Sequence, residues 1–222
     1  MPHSTRSNHR DDSIEPTSAN DHDHDRAVAQ KGHDTASLTP LGEYLASHPD
    51  VDRRQLCQQV AVQLAMYHDV QKVVHGDVKM ANVVVNERGV AILPRSSKTV
   101  PITSQPRAPT SPEERLPMTT ATDLYAFAWL VFHVYTDIDP LVLASDPKTM
   151  RLIASGVKPN RPGPDTTPSR RGLNDKIWSV MLKCWDISPV GRPRATEVVQ
   201  AFDLPATAPP TDQASTVKEV KV

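Results

Sequence analysis

The sequence predicts a mainly α fold with one small β-hairpin, framed by polar tails. Apolar residues recur at helical spacing in successive segments from Leu41 to Phe202. One stretch has hairpin character: Val83-Val84-Val85 and Val90-Ala91-Ile92-Leu93, joined by the turn Asn86-Glu87-Arg88-Gly89. The 21 prolines, against 8 glycines, cluster between Pro94 and Pro117, between Pro159 and Pro168, and from Pro205 onward. Those clusters mark the non-helical stretches.

In order along the chain, residues 1–40 are polar and hold almost no large apolar side chain. They bury too little surface to offset the entropy of ordering, which predicts a disordered tail. The run Asp21-His22-Asp23-His24-Asp25 within it reads as a solvated charge run, since adjacent ligands in such a segment fix no metal geometry. Leu41, Tyr44 and Leu45 open a short helix that His48-Pro49-Asp50 ends. Leu56, Cys57, Val60, Ala61 and Leu64 predict an amphipathic helix from about Arg53 to His68. Val73-Val74 then lead into a polar loop from His75 and on to the hairpin. Residues 94–113 read as a Pro-, Ser- and Thr-rich loop. Thr119 or Thr120 can cap a helix over Ala121–Thr136 that is apolar nearly all round and so predicted to be buried. Asp146-Pro147 starts a further helix to about Ser155, followed by a Pro-Gly loop to Arg171. Ile177, Val180, Met181, Cys184 and Trp185 form one helical face, and Ala195, Val198, Val199 and Phe202 form the last. Residues 204–222 read as a second tail, which leaves 41–203 as the single domain.

Composition narrows the partners. With 25 Lys+Arg against 26 Asp+Glu there is no global field to favour nucleic acid. The apolar run Leu124–Tyr135 falls short of the about 20 residues a bilayer span needs. Met1-Pro2-His3-Ser4 has no apolar signal segment, and Cys57 and Cys184 sit far apart in helical patterns. These features predict a cytoplasmic protein with reduced thiols.

The chemistry concentrates in His75-Gly76-Asp77-Val78-Lys79-Met80-Ala81-Asn82. A base, a cation and a carbonyl ligand on a short loop, anchored by a following strand, is how phosphoryl-transfer sites are built. The stretch resembles the catalytic loop of eukaryotic protein kinases, H-R-D-L-x-x-x-N. Separate motifs agree with it. Leu41-Gly42-Glu43-Tyr44-Leu45 resembles the start of the first C-lobe helix, Ser111-Pro112-Glu113 the A-P-E motif, and Asp123-Leu124-Tyr125-Ala126-Phe127 the opening of the buried helix. Cys184-Trp185-Asp186 with Pro189, Arg192 and Pro193 resembles the C-W-x-x-x-P-x-x-R-P ending of tyrosine-kinase-like kinases. The H-G-D-x-K wording with the C-W ending is similar to expanded kinase families of mushroom-forming fungi.

The resemblance implies a kinase C-lobe and a role for each matched residue. Asp77 would accept or orient the substrate hydroxyl's proton, and Lys79 would neutralise the transferred phosphoryl group. Asn82 would offer its amide oxygen to Mg²⁺, and Val84 would lie nearest the adenine of ATP. Asp123 would hold the loop from below, and Glu113 would pair with Arg192. His75 reads as a packed structural residue.

The same comparison predicts impaired chemistry. The D-F-G triplet falls on Arg95-Ser96-Ser97, and no aspartate stands between Asp77 and Glu113. The principal Mg²⁺ ligand is therefore missing, and Arg95 would bring a positive charge to the metal's place. Ser96 also removes the apolar side chain expected against His75. Residues 1–40 hold neither a Gly-rich loop nor a strand lysine, so no complete N-lobe is expected. The surface such a lobe covers, including Val84 and Ile92, would then be open to a protein partner or a second copy. The expected function is a kinase-like protein without phosphoryl transfer, acting as a binding module. The alternatives are a truncated piece of an active Ser/Thr or Tyr kinase that binds ATP, and a small-molecule kinase of the aminoglycoside or choline type, whose H-G-D-x-x-x-x-N the loop also satisfies.

Overall fold

The local rules that start each helix are visible in the computed structural model, which describes residues 37–102 and 117–203. The expectations for both tails and for Ser111-Pro112-Glu113 fall outside those residues. Helix α1 (Leu41–Ser47) buries Leu41 and Leu45 one turn apart, and the backbone N–H of Leu41 donates to Val83 O at 2.9 Å. Helix α2 (Arg53–Ala65) starts at Asp52, whose side chain accepts the Gln55 N–H, and buries the five apolar residues of the expected face. It does not run on as α-helix to His68. The turn Met66–Val70 is a π-helix, and it buries Tyr67 and His68.

Strand β1 (Thr39–Pro40) was not anticipated; it pairs antiparallel with β3 (Val84–Val85), which pairs with β4 (Ala91–Ile92) in the expected hairpin. Gln59 and Gln63 of α2 seal the hairpin's inner edge: their side-chain oxygens accept the N–H groups of Ala91 and Leu93 at 2.7 and 2.8 Å. A second ladder joins β2 (Val73–Val74) to β5 (Val100–Pro101), so the segment after Arg95 returns to the polar loop's entry strand.

Helix α3 (Thr120–Thr136) is capped by a reciprocal box between Thr119 and Thr122 and is buried along most of its length. Short helices α4 (Pro140–Ser145) and α5 (Pro147–Ala154) each begin with an aspartate cap followed by proline. The first of them was not read from the sequence. Helices α6 (Thr167–Arg170), α7 (Asp175–Cys184) and α8 (Ala195–Asp203) complete the order.

The core lies around α3. Phe127 meets Phe202 of α8 at 6.1 Å between ring centroids, and Trp129 meets Trp185 at 4.7 Å. Arg53 is buried in this core because its Nε donates to Val134 O and its guanidinium to Pro49 O. Cys57 and Cys184 are free and buried. Burial pushes the Cys184 thiol up to about 12 and raises Cys57 as well. Among the described residues no helix is long and apolar enough to cross a membrane.

Candidate functional site

The polar loop is built from its floor upward. Asp123, in the first turn of α3, is 2% exposed, and its carboxylate takes three donors. Oδ2 accepts the backbone N–H of His75 at 2.7 Å and His68 Nε2 at 2.8 Å, while Oδ1 accepts the N–H of Gly76 at 2.8 Å. The π turn at the end of α2 supplies His68. Asp123 therefore holds the loop's backbone, as the resemblance implied, with a third donor that the sequence did not suggest.

His75 is fully buried and structural. Its Nδ1 accepts the Asp77 N–H, so Nε2 carries the proton and donates to Pro94 O at 2.8 Å. Ser96 leaves no apolar side chain of its own against the His75 ring, as expected. The Tyr67 ring packs 5.4 Å from the His75 ring, and Tyr67 Oη donates to Leu93 O. Ser96 bonds instead to the His75 carbonyl at 2.9 Å, and Thr99 Oγ1 reaches the same oxygen at 3.2 Å.

Gly76 has a physical reason as well. It takes φ +78°, and a Cβ there would lie 2.7 Å from both Lys98 O and Met118 Sδ. A larger residue at that position would displace the segment after Arg95.

The structure brings Asp77, Lys79 and Asn82 together. Asn82 Nδ2 donates to Asp77 O at 2.8 Å and to Asp77 Oδ2 at 2.9 Å, which fixes the amide against the loop. Lys79 Nζ lies 3.4 Å from Asp77 Oδ2. Val84 stands apart in β3, half-buried, with Pro40 and Ile92 as its register partners.

Two cations differ from expectation. Arg95 turns away and donates to Gln71 Oε1 at 2.6 Å, since the long side chain finds an acceptor at the end of the π turn. The positive charge at the loop's mouth comes from Lys98, whose Nζ sits 2.9 Å from Asp77 Oδ1. The turn Ser96–Thr99 aims it there: Ser96 Oγ accepts the Lys98 N–H, and Thr99 Oγ1 accepts that of Ser96. Partial burial opposes ionisation of Asp77, but the Lys98 and Asn82 hydrogen bonds and the Lys79 charge outweigh it and hold the carboxyl below its ordinary value. Nothing in the sequence marked Lys98, because its role depends on how the chain turns after Arg95.

The donor set fits Mg²⁺ poorly. A hard divalent ion needs carboxylate and carbonyl oxygens. Among the described residues the mouth offers one carboxylate, which already holds two ammonium groups and an amide. Among the described residues no group of three or more His, Cys, Asp or Glu could hold a metal.

A polar loop presenting aspartate, lysine and asparagine, held from below by an aspartate of a buried helix and followed by a small hairpin, defines a kinase-type helical lobe. The family model of protein tyrosine and serine/threonine kinases matches residues 35–202, and the chain belongs to that family. No curated protein matches the chain. The family as a whole uses ATP and Mg²⁺ to phosphorylate protein hydroxyls.

Proposed function

We propose that this chain is a kinase-family protein of the tyrosine-kinase-like, fungal-type branch that does not transfer phosphate and works as a binding module. The observation that carries this reading is the Lys98–Asp77 contact. It commits the would-be base, the only carboxylate at the mouth among the described residues, to an internal cation. Arg95-Ser96-Ser97 in place of a metal-binding aspartate supports it from the sequence side.

The test is the melting temperature of the full chain with and without Mg²⁺-ATP. A ligand at about 100 times its Kd stabilises by about 2.7 kcal/mol, which for a domain of this size is a rise of roughly 5–10 °C. The expected shift is nil. A rise of that size would favour the second reading, a piece of an active protein kinase. The intact Asn82–Asp77 geometry is the observation on that side.

The module's partner is a protein or a second copy of the chain, bound over the hairpin and the outer face of α2. Apolar side chains at Val62 of α2, at Met66 directly after it and at Val90 of the hairpin are exposed. Light scattering at tens of micromolar should show association; a monodisperse monomer would count against this surface.

A further inference from the structure

A cavity lies against the polar loop with no hairpin residue in its lining, and the proposed function makes no use of it. It has a volume of about 490 Å³ and is an open cleft bordered by the Asp77–Ala81 segment, α3, α4 and α5. Its walls are apolar: Trp129 and Leu130 on α3, Met150 and Ile153 on α5, with Ala126 and Ala144 leaving the space between. The space exists for a local reason. The paired Asp-Pro starts make α4 and α5 two short helices rather than one long one, and neither buries a residue completely. They lean over α3 without filling the gap. Leu141 and Met150 remain 67% and 50% exposed at its mouth.

We propose that this cavity is a binding site for an uncharged, mainly apolar small molecule with an aromatic or similarly flat body. The volume lies within the about 300–1,000 Å³ of small-ligand pockets, which are mostly apolar with a few placed polar groups. Trp129, half-buried, lines the wall and supplies aromatic surface for such a body to pack against.

The rim decides the charge. Asp77 lies between Lys98 and Lys79, which leaves one positive charge over, and Asp139, the cap of α4 that accepts the Leu141 N–H at 2.9 Å, supplies one negative charge. Burial lowers the pKa of His133 against the opposing pull of Asp139 and Asp137, so the imidazole faces the cavity neutral at pH 7. The two carboxylates and two ammonium groups around the rim cancel in sum, so no net charge is left to repay the desolvation of an ionic ligand. A neutral one loses nothing there.

The test uses the full chain and two probes: neutral N-phenyl-naphthylamine, and its sulfonated analogue, anilinonaphthalene sulfonate. The neutral probe is expected to saturate one site and to quench tryptophan emission, with Trp129 in the wall. Ala126→Phe and Ala144→Phe fill the cavity from opposite sides and should each weaken that binding about tenfold or more, at an unchanged melting temperature. The sulfonate should bind at least about tenfold more weakly than the neutral probe. Failure of the neutral probe to bind would overturn the site, and so would binding unaffected by both substitutions. Equal affinity for the two probes would overturn the assignment of an uncharged ligand. Should one variant lose its fold, the other wall and the probe pair still give the answer.

Discussion

Asp123 and Asp77 each hold three nitrogen donors with one carboxylate, fewer than fifty residues apart in sequence and on opposite faces of the same loop. Asp123 is 2% exposed and two of its donors are backbone N–H groups. The Asp77 side chain is 22% exposed, and two of its donors are the ends of lysine side chains exposed by 43% and 51%. The same chemistry therefore does two jobs. Below, rigid donors and low dielectric make the carboxylate a fixture of the fold. Above, solvent and flexible lysines make it a site whose partners can exchange.

Substitutions should separate the two. Asp123→Ala leaves three donors unpaired, two of them buried, and is expected to cost about 3–5 kcal/mol in urea denaturation. A loss below about 1 kcal/mol would erase the contrast. Gly76→Ala should cost about 1–3 kcal/mol, from the left-handed backbone and the clash with Lys98 O and Met118. Hydrogen exchange should then show the Ser96–Thr99 turn loosened, while the Asp123 contacts stay protected.

Lys98→Ala should cost less than about 1 kcal/mol, because the pair is half in solvent. A loss comparable to that of Asp123→Ala would mean the mouth is as structural as the floor. The smallest effect is in pH. The folded-state pKa of Asp77 lies below its unfolded value, so its contribution is present above about pH 4 and is lost as the pH falls through the folded value. The stability difference between wild type and Lys98→Ala should shrink over that range, and a difference independent of pH would show that Lys98 acts by packing alone.

Much of this was legible in advance, and for definite reasons. The faces of α2, α3, α7 and α8 follow from 3.6-residue spacing, which survives tertiary context when a face is buried. The hairpin followed from Asn86 and Gly89, which takes φ +73°. Asp77, Lys79 and Asn82 meet because a short loop leaves them little choice. The missed features depend on non-local contact. Two-residue strands such as β1 and β5 carry no pattern of their own. The Lys98 contact requires β5 to return onto β2, and the turn of Arg95 toward Gln71 requires the π turn. Tyr67 took the place beside His75 that its position on an amphipathic helix could not reveal.

The π turn Met66–Val70 also has a consequence for helix phase. It fits one residue more into its turn than an α-helix would, so it resets which side of the chain faces the loop. If the same residues closed in ordinary α form, with no residue removed, the positions beyond the turn would swing by about 100°. His68 would then point away from Asp123, although every residue of the loop itself remained in place. The wider turn at the end of α2 is thus as much a determinant of the loop as the identity of any side chain within it.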